Sequence, residues 1–486
     1  MKMLDAMNVG QAARYSRVLF IVLATLTSFW AMLSYQGSGY VYLLFSLVAN
    51  ALFYFGFRSR AMFFDAFIGV FFWMGFWLKV TIRILFFDGE FSEAVGDFDY
   101  TGGSYDIALL VSACGLLGLL LASILREKFF FNYVAKASEQ NEIAISHFYA
   151  RYRKIILFVF FCAFTSVALL NISFGIYQKG SITQTLLPFG LNGVFKWLLL
   201  FGLASFSALI LKLELVAKKQ IAFIVILIVL LESFSTNTSL LSRGMVLNVG
   251  ALVYGVYVAC RFDLLRLNLR TVVVGGVLFC TLFAGSVFVV NDLRGNGPGV
   301  IGAARGGQAL DVDDVDLVVQ HATPLFLNRW VGIEGVMAVS SSPRLGWGIW
   351  RAAWQEKYSE NTMSFYDANL IESPYKETDF SKYHHLSLPG IIAFFFYPGS
   401  LLFLFVSMLL LGLFAAAIEF GVFRWGGKNM ILCALMAEVV AYRYASFGYV
   451  PAQSYLLFGA IFLNILLLYC IYRLAPFFAS KRQIGE

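Results

Sequence analysis

The chain has 486 residues, of which 60% are hydrophobic, 17% aromatic and only 13% charged, against about 25% charged in an ordinary soluble domain. That much apolar surface cannot be hidden in one soluble core, so lipid is the expected solvent. The net charge of +7 then reports where the loops lie and points to no nucleic-acid partner.

Met1 to Ser16 is polar, and the apolar run after it is too long for the core of a cleaved leader. It reads as a first spanning helix. A helix needs about 20 apolar residues to cross the hydrocarbon core. Runs that meet this lie near 17–35, 40–57, 61–86, 106–125, 154–174, 190–211, 220–236, 241–260, 271–290, 389–420, 429–447 and 451–472. About twelve spans are predicted, in an all-α polytopic membrane protein. Spans one to nine fill 1–290, a large loop runs over 291–388, and the last three spans and a tail fill 389–486. With the N-terminus inside, every inner segment is basic, from Arg14 and Arg17 through Arg58 and Arg60 to Arg473, Lys481 and Arg482. The loop from Asp88 to Asp106 is acidic and falls outside. Both termini are therefore expected in the cytoplasm.

Cys114, Cys162, Cys260, Cys280, Cys433 and Cys470 all lie in or beside apolar runs. They read as small buried side chains, without a disulfide or zinc pattern. The segment 126–153, with Phe129, Phe130, Phe131, Phe148 and Tyr149 beside Arg151 and Arg153, suits a helix lying on the inner surface. The 389–420 run is too long for one simple span. Pro389 and the pair Pro398–Gly399 predict a tilted helix or a short re-entrant piece before a full span.

Charges near the outer span ends are the first candidates for chemistry, because charge in a membrane is costly. Lys79 and Arg83 share one face of the third span. Arg243 ends the polar hairpin STNTSLLSRG, Arg294 follows the ninth span, Arg329 sits in NRWVGIEG, and Arg443 closes the eleventh span in AYRYASFGY. Guanidinium forks match phosphate oxygens and stay charged, so several in one outer cavity would hold a diphosphate. Thr323 to Val339 has helical apolar spacing and predicts an amphipathic helix on the membrane or over the cavity. SSPRLGWGIWRAAW predicts a turn into an aromatic helix whose Trp347, Trp350 and Trp354 are placed to line a saccharide path or to sit in an interfacial belt. In YHHLSLPG, His384 and His385 stand at the re-entry to the membrane, where a neutral imidazole can take a proton from an attacking hydroxyl. Glu334 and Asp379 are the carboxylate alternatives, and His321 lies too far from any span end. Nucleotide, HExxH and serine-elbow signatures are absent. GNGPGVIGAARGG reads as a flexible run and DVDDVD as a solvated acidic one, so no metal or other cofactor is expected.

Four features together resemble the bacterial O-antigen polymerase (Wzy-type) superfamily. They are a dozen spans with both ends inside, the hairpin ending TSLLSRG, the large outer loop before the last spans, and the re-entry HHLSLPGIIAFFFYPGS. The resemblance implies a C-type glycosyltransferase-like fold in the inner membrane. It implies that a growing glycan is transferred from undecaprenyl diphosphate to the next lipid-linked repeat unit, without a metal and with inversion. It places Arg243 at the hairpin arginine, Arg294 and Arg329 loosely among the loop arginines, and either His384 or His385 at the re-entry histidine. A chain-length regulator is the implied protein partner. Asp97 and Asp99 lie in a loop after the third span, where the metal-dependent relatives keep acidic residues after the first. The rival expectations are an O-antigen ligase-like or other lipid-linked glycosyltransferase, and a flippase or exporter without catalysis.

Overall fold

A computed structural model describes residues 2–58, 61–129, 133, 140–262, 269–295, 330–373, 384 and 386–480. Among them no β-strand occurs. A helix stands at each apolar run: α1 (Lys2–Ser34), α2 (Gly39–Gly56), α3 (Phe63–Phe86), α4 (Gly102–Phe129), α5 (Gln140–Phe174), α6 (Pro188–Lys218), α7 (Phe223–Ser239), α8 (Met245–Phe262) and α9 (Leu269–Gly295) come first. Three short helices follow, α10 (Ile333–Ser341), α11 (Trp347–Trp354) and α12 (Phe365–Asn369), then α13 (Ile391–Phe396), α14 (Leu401–Trp425), α15 (Met430–Ala445) and α16 (Ser454–Ser480). Eight of the described helices are long and apolar enough to cross a membrane, and three shorter ones are apolar. The protein is a membrane-embedded helical bundle.

The long run at 389–420 is broken where its turn residues stand. Gly390 has φ +79° and donates its N–H to Phe447 O at 2.9 Å, α13 follows for six residues, and Gly399 at φ +75° turns the chain into α14. Ser400 caps that helix, its hydroxyl accepting from Phe403 N. Of the two expected forms, the short piece followed by a full-length helix is the one present. Two other expectations differ from the structure. Residues 140–153 are the first turns of α5, continuous with its apolar part, with Tyr149 buried against Glu214. Helix α10 is buried on all sides, from Ile333 to Val339, and does not lie on a surface. Gly332 and Gly335 explain the burial: their missing side chains let Gly75 of α3 and Pro389 approach their backbones directly.

At the end of the bundle holding the α2–α3 and α14–α15 turns, charges are paired. Asp65 meets Arg126 and Arg58, and Arg58 reaches Glu127 at 2.8 Å. Glu419 of α14 accepts from the first two amides of α3, Phe63 N and Phe64 N, both at 2.9 Å, satisfying donors a helix start leaves open. Arg153 pairs with Glu214 at 2.9 Å. The opposite end, the loop end, carries residues 330–373 and 386–390. Helix α15 runs through the centre, packed by α3, α6, α8 and α14. Asn429 caps its start by accepting from Ile431 N and Leu432 N. It delivers Arg443 to the loop end.

Candidate functional site

Two groups of charged side chains stand at the loop end. The first is built on α3. Lys79 is 1% exposed. Its ammonium contacts the Glu334 carboxylate, donates to Trp330 O at 2.9 Å, and lies 3.4 Å from Glu93. Arg83, one turn on, donates to Ser92 Oγ at 2.9 Å, pairs with Glu93 at 3.5 Å, and lies under the rings of Phe87 and Phe91. Lys79 and Arg83 do share a face, as their spacing predicts. Both are engaged by carboxylates, and Glu334 holds Lys79. A polar hollow of ≈ 160 Å³ beside this group, lined by Ser34, Tyr35, Gln36, Asp88 and Tyr105 among others, contains neither cation.

The second group is built on α15 and the loop before α6. Arg443 is half-buried, donates a long 3.4 Å bond to Tyr449 O, and lies 5.5 Å from the centre of the Phe447 ring. Lys196 of α6 stands exposed, its ammonium 4.9 Å from the centre of the Tyr177 ring, within electrostatic reach of Arg443, which repels it, and of Glu360, which attracts it. Asn171 fixes Tyr177: its side chain donates to Tyr177 O and Ser239 O and accepts from Tyr177 N, all within 2.9 Å. Two residues on, Lys179 bonds through its amide to Leu240 O at 2.9 Å and reaches Ser242 Oγ at 3.4 Å, which ties this loop to the hairpin that carries Arg243. Tyr442 is 41% exposed although its helix is enclosed on several sides. It lies edge-on to Phe71 and, with Arg443 and Glu360, within electrostatic reach of Tyr177, so these side chains and Lys196 border one hollow at the loop end.

A strap closes this hollow. Glu360 accepts from Thr183 N at 3.0 Å, Thr183 Oγ1 at 2.9 Å and Tyr358 OH at 2.6 Å. Glu356 accepts from Val450 N at 2.7 Å and Phe365 N at 2.5 Å, and Tyr449 OH donates to Ser359 O at 2.9 Å. Partial burial works to raise the Glu360 carboxyl, but the bonds from Tyr358 and Thr183 and the neighbouring His384 imidazole together hold it below the usual carboxylate range. Burial, then the bond to Glu360, pushes the Tyr358 hydroxyl up. Burial raises Glu356.

His384 belongs to this strap. Its amide donates to Gly180 O at 3.2 Å, its Nδ1 lies 3.2 Å from Glu360 O, and its ring sits between Tyr358 and Tyr449. The three tryptophans form an edge-to-face ladder, with 5.7 Å between Trp347 and Trp350 and 5.8 Å between Trp350 and Trp354. The ladder continues from Trp354 through Phe394 to Phe447, the ring beside Arg443. Trp347, 55% exposed, is its open end.

The structure thus joins Arg443 to the tryptophan ladder and brings His384 to the strap over it. Arg243 is turned aside, its guanidinium contacting Asn291 of α9. Arg294 lies in the last turn of α9. Arg329, His385, His321 and Asp379 fall outside the described residues, as do the GNGPG and DVDDVD runs beyond Gly295. Sequence reasoning missed Lys196 and Glu438. Both are lone charges inside apolar runs, GVFKWLLLFG and ALMAEVVAYRY, and the cost of charge in a membrane was the signal that marks them.

Chemically the two groups differ. Among the described residues, none of Lys196, Arg243 and Arg443 has a carboxylate within 4.0 Å. The described residues hold no group of three His, Cys, Asp or Glu side chains that could bind a metal ion. An anion is what the second group is charged to receive. No family model, no characterised protein and no solved structure matches the chain at a significant level.

Proposed function

We propose that the protein is a polysaccharide polymerase of the O-antigen polymerase type, a C-type glycosyltransferase-like enzyme of the bacterial inner membrane. In this reading all twelve apolar runs cross the bilayer, both termini are cytoplasmic, and the loop end faces the periplasm. The enzyme transfers a growing glycan from undecaprenyl diphosphate to the next lipid-linked repeat unit.

One observation carries the reading. Lys196 and Arg443 stand within electrostatic reach of one another at the loop end, and neither has a carboxylate within 4.0 Å among the described residues, although Glu360 acts on Lys196 from further off. A diphosphate would relieve their repulsion and accept from both. Fixed cations at this place stabilise the charge that develops on a leaving diphosphate, and they do so without reorganising. The tryptophan ladder, leading to Arg443, suits the sugars of the donor. The strap tied by Glu356, Tyr358, Glu360 and His384 suits the exclusion of water, which would otherwise compete with the acceptor. Arg243, one residue from Ser242 and facing α9, is placed to meet a carrier entering from that side.

The test is deletion of the gene, with lipid-linked glycans and surface polymer followed in the same cells. The expected result is loss of long polymer, with single repeat units accumulating on carrier lipid at the outer leaflet. Complementation with Lys196→Ala or Arg443→Ala should fail although the protein reaches its normal level. Repeat units trapped at the inner leaflet would instead identify a flippase. Free polymer of normal length that is not attached to its final acceptor would identify a ligase.

A further inference from the structure

Glu438 is the charged side chain at this site that the reading above leaves without a role. It lies midway along α15, is 3% exposed, and accepts no hydrogen bond from any described residue. A buried carboxylate without a donor is costly to keep. It stands four residues before Tyr442, so the two share a helix face, and the carboxylate acts on the Tyr442 side chain at the border of the hollow. Arg443 is five residues further on, about 7.5 Å along the axis. The charged group acting on Glu438 is Lys179, which reaches in beside Ser242, and Tyr442 is the titratable neighbour on its own helix. Of the helices packed on α15, α3 carries Lys79 and Arg83 and α6 carries Lys196 at the loop end, while Asp65, Lys212, Glu214 and Glu419 lie toward the opposite end of the bundle. Glu438 is therefore an acceptor with unused lone pairs beside Tyr442, with Lys179 as the cation that acts on it.

We infer that Glu438 is the proton acceptor of the transfer, an assignment that rests on the glycosyltransferase reading. The acceptor sugar's hydroxyl donates to the Glu438 carboxylate. As its oxygen forms the new bond to the anomeric carbon, its proton passes to Glu438. The bond from that carbon to the diphosphate oxygen breaks, and the electron pair leaves with the diphosphate, held by Lys196 and Arg443. Glu438 then returns the proton to water when the product departs. His384 is committed elsewhere: its amide and Nδ1 are tied into the strap, and its ring is packed between two tyrosines.

The experiment uses membrane vesicles from the gene-deleted strain, which supply its own accumulated lipid-linked repeat, with full-length protein restored as wild type, Glu438→Gln, Glu438→Asp or His384→Ala. Chain extension is followed against pH at saturating substrate. Wild type should lose rate at acid pH, where a protonated Glu438 accepts nothing. E438Q should extend about 100-fold or more slowly, the typical scale for a lost general base, with the acidic limb gone. E438D should keep a slower rate with a displaced limb, and H384A should keep the wild-type limb. An E438Q protein present at wild-type level that extends chains within threefold of wild type, or that keeps the acidic limb, overturns the assignment. If E438Q does not accumulate, E438D decides: a displaced limb supports the role and an unmoved one overturns it. A deletion strain with unchanged lipid-linked and surface glycans would overturn the transferase reading and this assignment together. Failure of E438Q alone to slow extension would leave that reading standing.

Discussion

The α3 cluster and the α15 hollow lie at the same end of the molecule and are built from the same residue types, yet they are in opposite states. On α3, Lys79 and Arg83 meet Glu93 and Glu334, and the lysine is sealed from solvent. At the second group, Arg443 of α15 and Lys196 of α6 lie within electrostatic reach of one another, and neither has a carboxylate within 4.0 Å among the described residues. A buried ion pair that is cut in half leaves an uncompensated charge. Arg443 and Lys196, held by one long hydrogen bond and by ring contacts, leave no buried carboxylate stranded when one is removed. The lesson is that a basic side chain at a membrane border says little by itself. Its partner decides whether it holds the fold or waits for a ligand.

The contrast can be broken most sharply at Lys79. Lys79→Ala strands Glu334 in the interior and should cost about 3–5 kcal/mol, seen as a fall in folded protein by size-exclusion chromatography in detergent. Replacing both partners, Lys79→Met with Glu334→Leu, should recover most of that loss, because apolar side chains fill such a site without a desolvation penalty. Recovery by neither route would mean that the pair is not what holds α10 in place. Next in size is a ligand effect. Inorganic pyrophosphate at a hundred times its dissociation constant should stabilise wild type by about 2.7 kcal/mol in a thermal melt. Lys196→Ala and Arg443→Ala should each melt near the wild-type temperature without ligand and lose most of that shift. A shift that survives both changes would place the anion elsewhere.

The smallest effect is expected in the strap. Glu360 is held below its ordinary range in the folded protein, so its contribution is present above the unfolded value and is lost as pH falls through the folded one. The wild-type melting temperature should therefore drop on acidification below the usual carboxylate range. Glu360→Gln should melt lower at neutral pH, by about 1–2 kcal/mol for a weakened hydrogen-bond set, and show less of that acid drop. Equal acid slopes would show that the strap is not tied through this carboxylate.

Much of the architecture is legible in the sequence. Apolar length alone locates each long helix, and Pro398–Gly399 marks the break between α13 and α14, because these residues cannot continue a helix as cheaply as others. The aromatic helix over Trp347–Trp354 is also legible from its turn and its spacing. The state of the charges is not. Lys79 and Glu334 are 255 positions apart, and nothing local to either announces the other. Helix α10 looks amphipathic because Glu334 and its neighbours break an apolar run, whereas the pairing with Lys79 lets the whole helix be buried. Of the side chains grouped at the candidate site, sequence reasoning names Arg443 and His384 but passes over Lys196 and Glu438, which it absorbs into spans. Placing Lys196 opposite Arg443 requires the loop that Asn171 pins.

The direct backbone approach at Gly332 and Gly335 has a genetic consequence. With Gly75 against one and Pro389 against the other, not even a methyl group fits without prising α10 away from α3 and from the start of α13. Lys79 would then lose hold of Glu334. In a saturation survey of viable variants these two codons should stand out as intolerant columns, as strict as any residue of the candidate site, although neither carries a functional group.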